Sequence, residues 1–149
     1  SLYNLQGRPV GILKNDLQVT MDRALISRFK MDIHFEHLYI DLDDTVIVNR
    51  QVNIFAVAFI YQCRNKGIKV HLITKHAGNL VETLNQFRLH PLFDSIIHIA
   101  KDDEKFRYID FKHSIFIDDS YYERKMISEH KGIPVFHVSE VQNLLDWRV

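Results

Sequence analysis

From residue 37 onward the chain alternates between short apolar runs and longer mixed segments. HLYID (37–41) is apolar and ends in acid. VNIFAVAFIYQCRNKG (52–67) is long, apolar on most faces and stopped by Gly67, which predicts a buried helix. KVHLIT (69–74) reads as a strand. AGNLVETLNQFR (77–88) places Ala77, Leu80, Val81, Leu84 and Phe87 at helical spacing. SIIHIA (95–100) and SIFID (114–118) read as two further strands. Ser120 and Glu123 have capping-box spacing and open a helix through about His130, which Gly132 ends. PVFHV (134–138) reads as a fifth strand. Ser139 and Gln142 repeat the capping spacing before a last short helix with Leu144 and Leu145. Strands alternating with helices of this length predict a parallel five-stranded α/β sheet with helices on both faces.

Residues 1–36 follow a different pattern. GRPVGILKNDLQV (7–19) has two short apolar runs around Asn15 and Asp16, which predicts a hairpin. LQVTMDRALISRF (17–29) predicts a short amphipathic helix. Two units follow from this contrast: residues 1–36 as an arm or the tail of a preceding domain, and residues 37–149 as the main domain. Arm and tail both remain open, and the start at Ser1 rather than Met fits a piece of something longer.

The chain has 149 residues, of which 46% are apolar and 26% charged, enough for one domain with a real core. Its formal net charge is zero. It therefore presents no broad field for nucleic acid or anionic lipid. No apolar run reaches the roughly 18–20 residues of a membrane span. The single cysteine, Cys63, admits no internal disulfide, which together with the absence of a secretory signal points to a cytoplasmic protein. Nine histidines form no zinc set: His34 with His37, and His71 with His76, lack partners at ligand spacing.

In a parallel α/β sheet, ligands collect beyond the carboxyl ends of the strands. The first strand ends at Asp41, with Asp43, Asp44 and Thr45 following. The second ends at Thr74, before Lys75 and His76; the third leads to Lys101 and Lys105; the fourth ends at Asp118, Asp119 and Ser120. Carboxylates from two strand ends make a hard-oxygen site suited to magnesium. A lysine and a threonine hydroxyl beside it supply charge and hydrogen bonds to a phosphoryl group. Taken singly, each aspartate could be a turn former and Ser120 a helix cap.

IDLDDT, then HLIT, then the lysine segment AKDDEKFRYID, then IFIDDS, in that order, resemble the four motifs of the haloacid-dehalogenase-like phosphohydrolase superfamily over about residues 37–138. The resemblance implies a Rossmann-like three-layer sandwich and a magnesium-dependent phosphatase. Asp41 would be the nucleophile forming an aspartyl-phosphate, and Asp43 the general acid and base. Thr74 and Lys105 would bind the phosphoryl group, with Lys75 beside them; Lys101 is the alternative third-motif lysine. Asp41, the backbone carbonyl of Asp43, and Asp119 would ligate Mg2+, with Asp118 in support. Asp44 would serve the turn. Lys75 and His76 lie within reach of a substrate, and Tyr121 and Tyr122 could either gate the pocket or pack the helix start. The spans 46–69 and 75–101 leave room for no cap domain, so the site would be open, shielded by another subunit, a further domain or the N-terminal arm. The substrate is then a phosphorylated compound of undetermined class. The rival reading is a regulatory or docking domain of a larger protein with weak or no turnover.

Overall fold

The computed structural model describes residues 33–148. The hairpin expected at 7–19 and the helix expected at 17–29 lie outside the described residues. Phe35–Val141 forms one compact unit, and the architecture below is that unit's, apart from the short last helix, which runs beyond Val141.

Strand β1 (His37–Ile40) runs into a two-stranded hairpin, β2 (Ile47–Val48) with β3 (Gln51–Val52). Helix α1 (Ile54–Asn65), strand β4 (Lys69–Thr74), helix α2 (Leu80–Gln86) and strand β5 (Ser95–His98) follow. A 3-10 turn (Lys105–Tyr108) precedes strand β6 (Ser114–Ile117), helix α3 (Tyr121–Lys131), strand β7 (Val135–Phe136) and a short helix α4 (Val141–Leu144). The main sheet has the order β5-β4-β1-β6-β7, and all its pairings are parallel. This is the expected five-stranded parallel sheet of a Rossmann-like sandwich. Strand order reverses beside β1, since the chain moves outward through β4 and β5 and returns to β6. Asp41 and Asp118 follow the two strands that flank this reversal.

The register explains which side chains share a face. Tyr39 pairs with His71 and Phe116. Tyr39 and Phe116 join Ile73, Ile109, Ile127 and Ile133 in one core cluster, beneath α3. Leu38, Ile40, Val70, Leu72, Ile115 and Ile117 alternate to the opposite face and are all buried. Burial on both faces is why β1 and β6 read as continuous apolar runs. Helix α1 packs against β4 through Ala56, Phe59, Ile60 and Cys63.

Several boundaries differ from the expected ones. Helix α1 is not buried all round: Ile54, Phe55 and Tyr61 are exposed. It starts after Asn53, whose side chain accepts from the Phe55 and Ala56 amides. Helix α2 begins three residues later than its apolar spacing implied. Asn79 accepts from Glu82 N–H and sets the start, leaving Ala77 outside and Val81 exposed. The last cap is formed by His137 with Glu140, not by Ser139 with Gln142. Helix α3 begins at its expected cap, with Ser120 Oγ accepting from Glu123 N–H at 3.2 Å. Gly132 closes it at φ 67°, in the left-handed region that glycine enters without steric cost.

The β2–β3 hairpin was not expected from the sequence. Ile47 pairs with Val52 and Val48 with Gln51, so Asn49 and Arg50 form a two-residue loop. Both have positive φ, 52° and 62°. Two consecutive left-handed residues are the signature of a type I′ turn, whose second position favours glycine. An arginine there costs roughly 1–2 kcal/mol in backbone strain. Among the described residues, this hairpin is all that stands between β1 and α1, so no cap domain is inserted there.

Candidate active site

The ends of β1 and β6 and the 3-10 turn contribute to one buried cluster. Asp41 leaves β1 with its amide bonded to the Ile117 carbonyl, which ties the two acidic strand ends together. Asp118 is fixed on its own side: Ser120 N–H donates to its Oδ1 at 2.9 Å, and Arg124 donates to its carbonyl at 2.9 Å. Lys105 Nζ reaches across from the 3-10 turn, 2.8 Å from Asp41 Oδ1 and 2.7 Å from Asp118 Oδ2. All three side chains are buried. Lys101, by contrast, is exposed.

The turn that carries Lys105 is braced by α3. Phe106 stacks on His130 with ring centroids 4.0 Å apart, and Tyr122 donates its hydroxyl to Glu104 at 2.8 Å. Tyr122 thus holds the lysine segment, while Tyr121 is 71% exposed.

Carboxylate oxygens of Asp41, Asp118 and Asp119 lie within 4.8 Å of one another. Burial first, and then the like charge of Asp118, outweigh the pull of Lys105 and push the Asp41 carboxyl up to about 7. Burial, with a hydrogen bond and like charge from Asp118, raises Asp119 to about 6. Burial works to lower Lys105, but Asp41 and Asp118 prevail and hold it above the ordinary lysine value. One lysine therefore does not balance three carboxylates. The set is made of hard oxygens and carries surplus negative charge, which fits a divalent cation such as magnesium. Thr45, which the motif reading left without a role, is fully buried with its hydroxyl 3.4 Å from Asp41 Oδ2 and 3.5 Å from Asp119 Oδ1. Asn53 donates to the Thr45 carbonyl at 3.0 Å.

Asp43 lies outside this buried set. It is exposed, and its carboxylate meets His76 Nδ1 at 2.9 Å. On its other side, His76 Nε2 is hydrogen-bonded to the Thr83 hydroxyl at 2.9 Å, and that hydroxyl also reaches the Asn79 carbonyl at 3.1 Å. Sequence spacing gave no sign of this contact, since His76 and Asp43 come from different strand ends. Thr74 is fully buried and accepts the His76 amide at 3.0 Å. Lys75 forms a 2.7 Å ion pair with the buried Glu123. Asp44 sits at φ 60°, a left-handed position that aspartate tolerates, and its amide bonds to the Ile47 carbonyl.

A cleft of about 470 Å³ opens beside Asp43, between the hairpin tip and α2. Arg50, Phe87 and Gln86 help to line it. No described helix is long and apolar enough to cross a membrane.

No protein-family model and no curated protein matches the sequence. Solved structures do. An uncharacterized protein from Corynebacterium glutamicum superposes with a TM-score of 0.56 at 12% identity, over 69% of this chain and 84% of its own. A hypothetical protein from Xanthomonas campestris gives 0.51 at 16% identity, over 83% and 84%. The N-terminal part of a Bacteroides fragilis protein, containing a phosphatase domain and complexed with Mg, gives 0.50 at 19% identity. The match spans 80% of this chain and 40% of that one. Likeness at this level of identity is likeness of fold: the chain shares its parallel α/β fold with these structures, one of which contains a phosphatase domain.

Proposed function

We propose that the protein is a magnesium-dependent phosphatase that hydrolyses phosphate monoesters through a phosphorylated Asp41. The observation that carries this reading is Lys105 held between Asp41 and Asp118, with Asp119 completing a three-carboxylate set at the strand-order reversal. The Mg held by the Bacteroides fragilis phosphatase domain supports the same metal here.

Asp41 and Asp119, with the Asp43 backbone carbonyl and support from Asp118, would hold the magnesium. Bound there, the ion supplies positive charge against the phosphoryl oxygens and keeps Asp41 ionised. Asp41 attacks phosphorus, the ester P–O bond breaks, and the electron pair leaves on the ester oxygen. Asp43, in its protonated form, gives that oxygen a proton, then takes a proton from the water that attacks the phosphorylated Asp41. Lys105 keeps Asp41 oriented and offsets charge, and the Thr74 hydroxyl hydrogen is free to donate to a phosphoryl oxygen once His76 N–H is accepted.

The test is hydrolysis of p-nitrophenyl phosphate by the purified chain with magnesium and with a chelator. Turnover that requires magnesium and disappears in Asp119→Ala supports the reading. A folded protein inactive towards every ester offered, in magnesium, would overturn it in favour of a docking domain.

A further inference from the structure

Resting on the phosphatase reading, we infer that Arg50 selects substrates: the protein acts on small phosphate monoesters whose leaving group carries a second anionic group. Asp43 protonates the leaving oxygen, so the leaving group departs on the Asp43 side. The space on that side is the cleft of about 470 Å³ between the hairpin tip and α2. Its volume suits a small molecule rather than a polypeptide segment. Ile47 and Phe87 give it an apolar part, and Asn49 and Gln86 provide amides. Asp43, Asp44 and His76 also line it, and Arg50 is the lining side chain that stays cationic at every working pH.

Two separate observations single out this arginine. It makes no ion pair or hydrogen bond among the described residues, although it borders a cleft with two carboxylates. It also occupies the position of a type I′ turn where glycine is favoured, at φ 62°. The residue is thus worse for the hairpin than glycine, and its guanidinium has no structural duty. A strained, unpartnered cation facing a cleft beside a catalytic acid is suited to fork onto a carboxylate or phosphate.

Arg50→Gly separates the two roles, because it relieves the turn while removing the cation. The probes are phenyl phosphate and 3- and 4-carboxyphenyl phosphate, with a bisphosphate such as fructose 1,6-bisphosphate to distinguish phosphate from carboxylate as the second anion. The wild type should favour at least one anionic probe over phenyl phosphate by tenfold or more in kcat/KM. Arg50→Gly should lose that preference, mainly through KM, keep phenyl phosphate turnover within twofold, and melt at the same or a higher temperature. Turnover without any Arg50-dependent preference would overturn this assignment and leave the phosphatase reading intact. So would faster turnover of a phosphopeptide than of every small anionic ester. Inactivity towards all esters would remove the hydrolytic reading and this assignment together.

Discussion

At the scale of the residue, three aspartates within four positions have three different surroundings. Asp41 is buried against Lys105, Asp43 is exposed and bound to His76, and Asp44 takes a left-handed turn conformation. This separation predicts a division of labour. Asp41→Asn should abolish turnover. Asp43→Asn should slow it by about 10²–10⁴-fold, the usual worth of general acid–base catalysis. With p-nitrophenyl phosphate, whose leaving group needs little protonation, that variant should accumulate a phosphoryl adduct, visible by mass after rapid acid quench. Lys105 carries a separate prediction. In metal-free protein at pH 8, Lys105→Met leaves Asp41 and Asp118 buried without their cation and should cost about 3 kcal/mol. Lys101→Ala, at an exposed position, should stay within about 0.5 kcal/mol by urea unfolding. The strand-end acids and Thr74 were legible in the sequence because each closes or follows an apolar run, whereas motif resemblance alone favours Lys105 over Lys101, since Lys105 lies five residues beyond its run. His76 as partner of Asp43 was not, because hydrogen bonds between strand ends depend on rotamers and leave no spacing.

At the scale of the element, capping side chains decided where helices began, and apolar spacing did not. Asn79 starts α2 although Ala77 continues the periodic pattern, because an asparagine side chain that accepts a backbone N–H favours the extended conformation of a cap. The β2–β3 hairpin escaped notice for a related reason. Its strands are two residues each, and its turn reads Asn-Arg where the recognisable signal is Asn-Gly. The three central strands β1, β4 and β6 were legible because strands buried on both faces write uninterrupted apolar runs, and the edge strands β5 and β7 are apolar though only partly buried. Asn53 joins cap and hairpin: it accepts the first amides of α1 and donates to the Thr45 carbonyl. Asn53→Ala should therefore destabilise the protein by about 1 kcal/mol. It should also weaken magnesium binding through Thr45, which contacts both Asp41 and Asp119. Thermal unfolding with and without magnesium reads both effects.

At the scale of the whole molecule, two groups of side chains set opposite dependences on pH. Asp41 and Asp119 titrate near 7 and 6 when folded, above the ordinary carboxylate value of 3.8. Between those values the folded state holds more protons than the unfolded one, so metal-free protein gains stability from them as pH falls. Magnesium reverses the preference by favouring the ionised forms. The rise in melting temperature on adding magnesium should therefore be larger at pH 8 than at pH 5.5. At the other end of the sheet, His37 Nδ1 and His71 Nε2 are 2.9 Å apart, with Phe111 stacked on His37. Burial lowers both histidines, with Lys69 adding to it and His37 opposing a second charge on His71; Glu36 and Asp94 pull the other way. Here the unfolded state binds protons first, so this stabilisation is full above about 6.5 and is lost as pH falls below it. The wild type should lose melting temperature relative to His71→Gln between pH 7 and pH 5, with magnesium saturating at both.

The place of β1 in the strand order also governs when a working site can exist. β1 is synthesised before every other strand of the main sheet, yet it lies in the middle and bonds to β4 on one side and β6 on the other. An emerging chain therefore carries Asp41 long before Lys105 and Asp118 leave the ribosome. Until they do, Asp41 has neither its ammonium partner nor the second sheet neighbour that closes its strand. Such distant pairings enforce late, all-or-none assembly, at the slow end for a domain of this size. Half-made chains would accordingly be chemically silent, and catalytic competence would arrive in one step with the completed sheet.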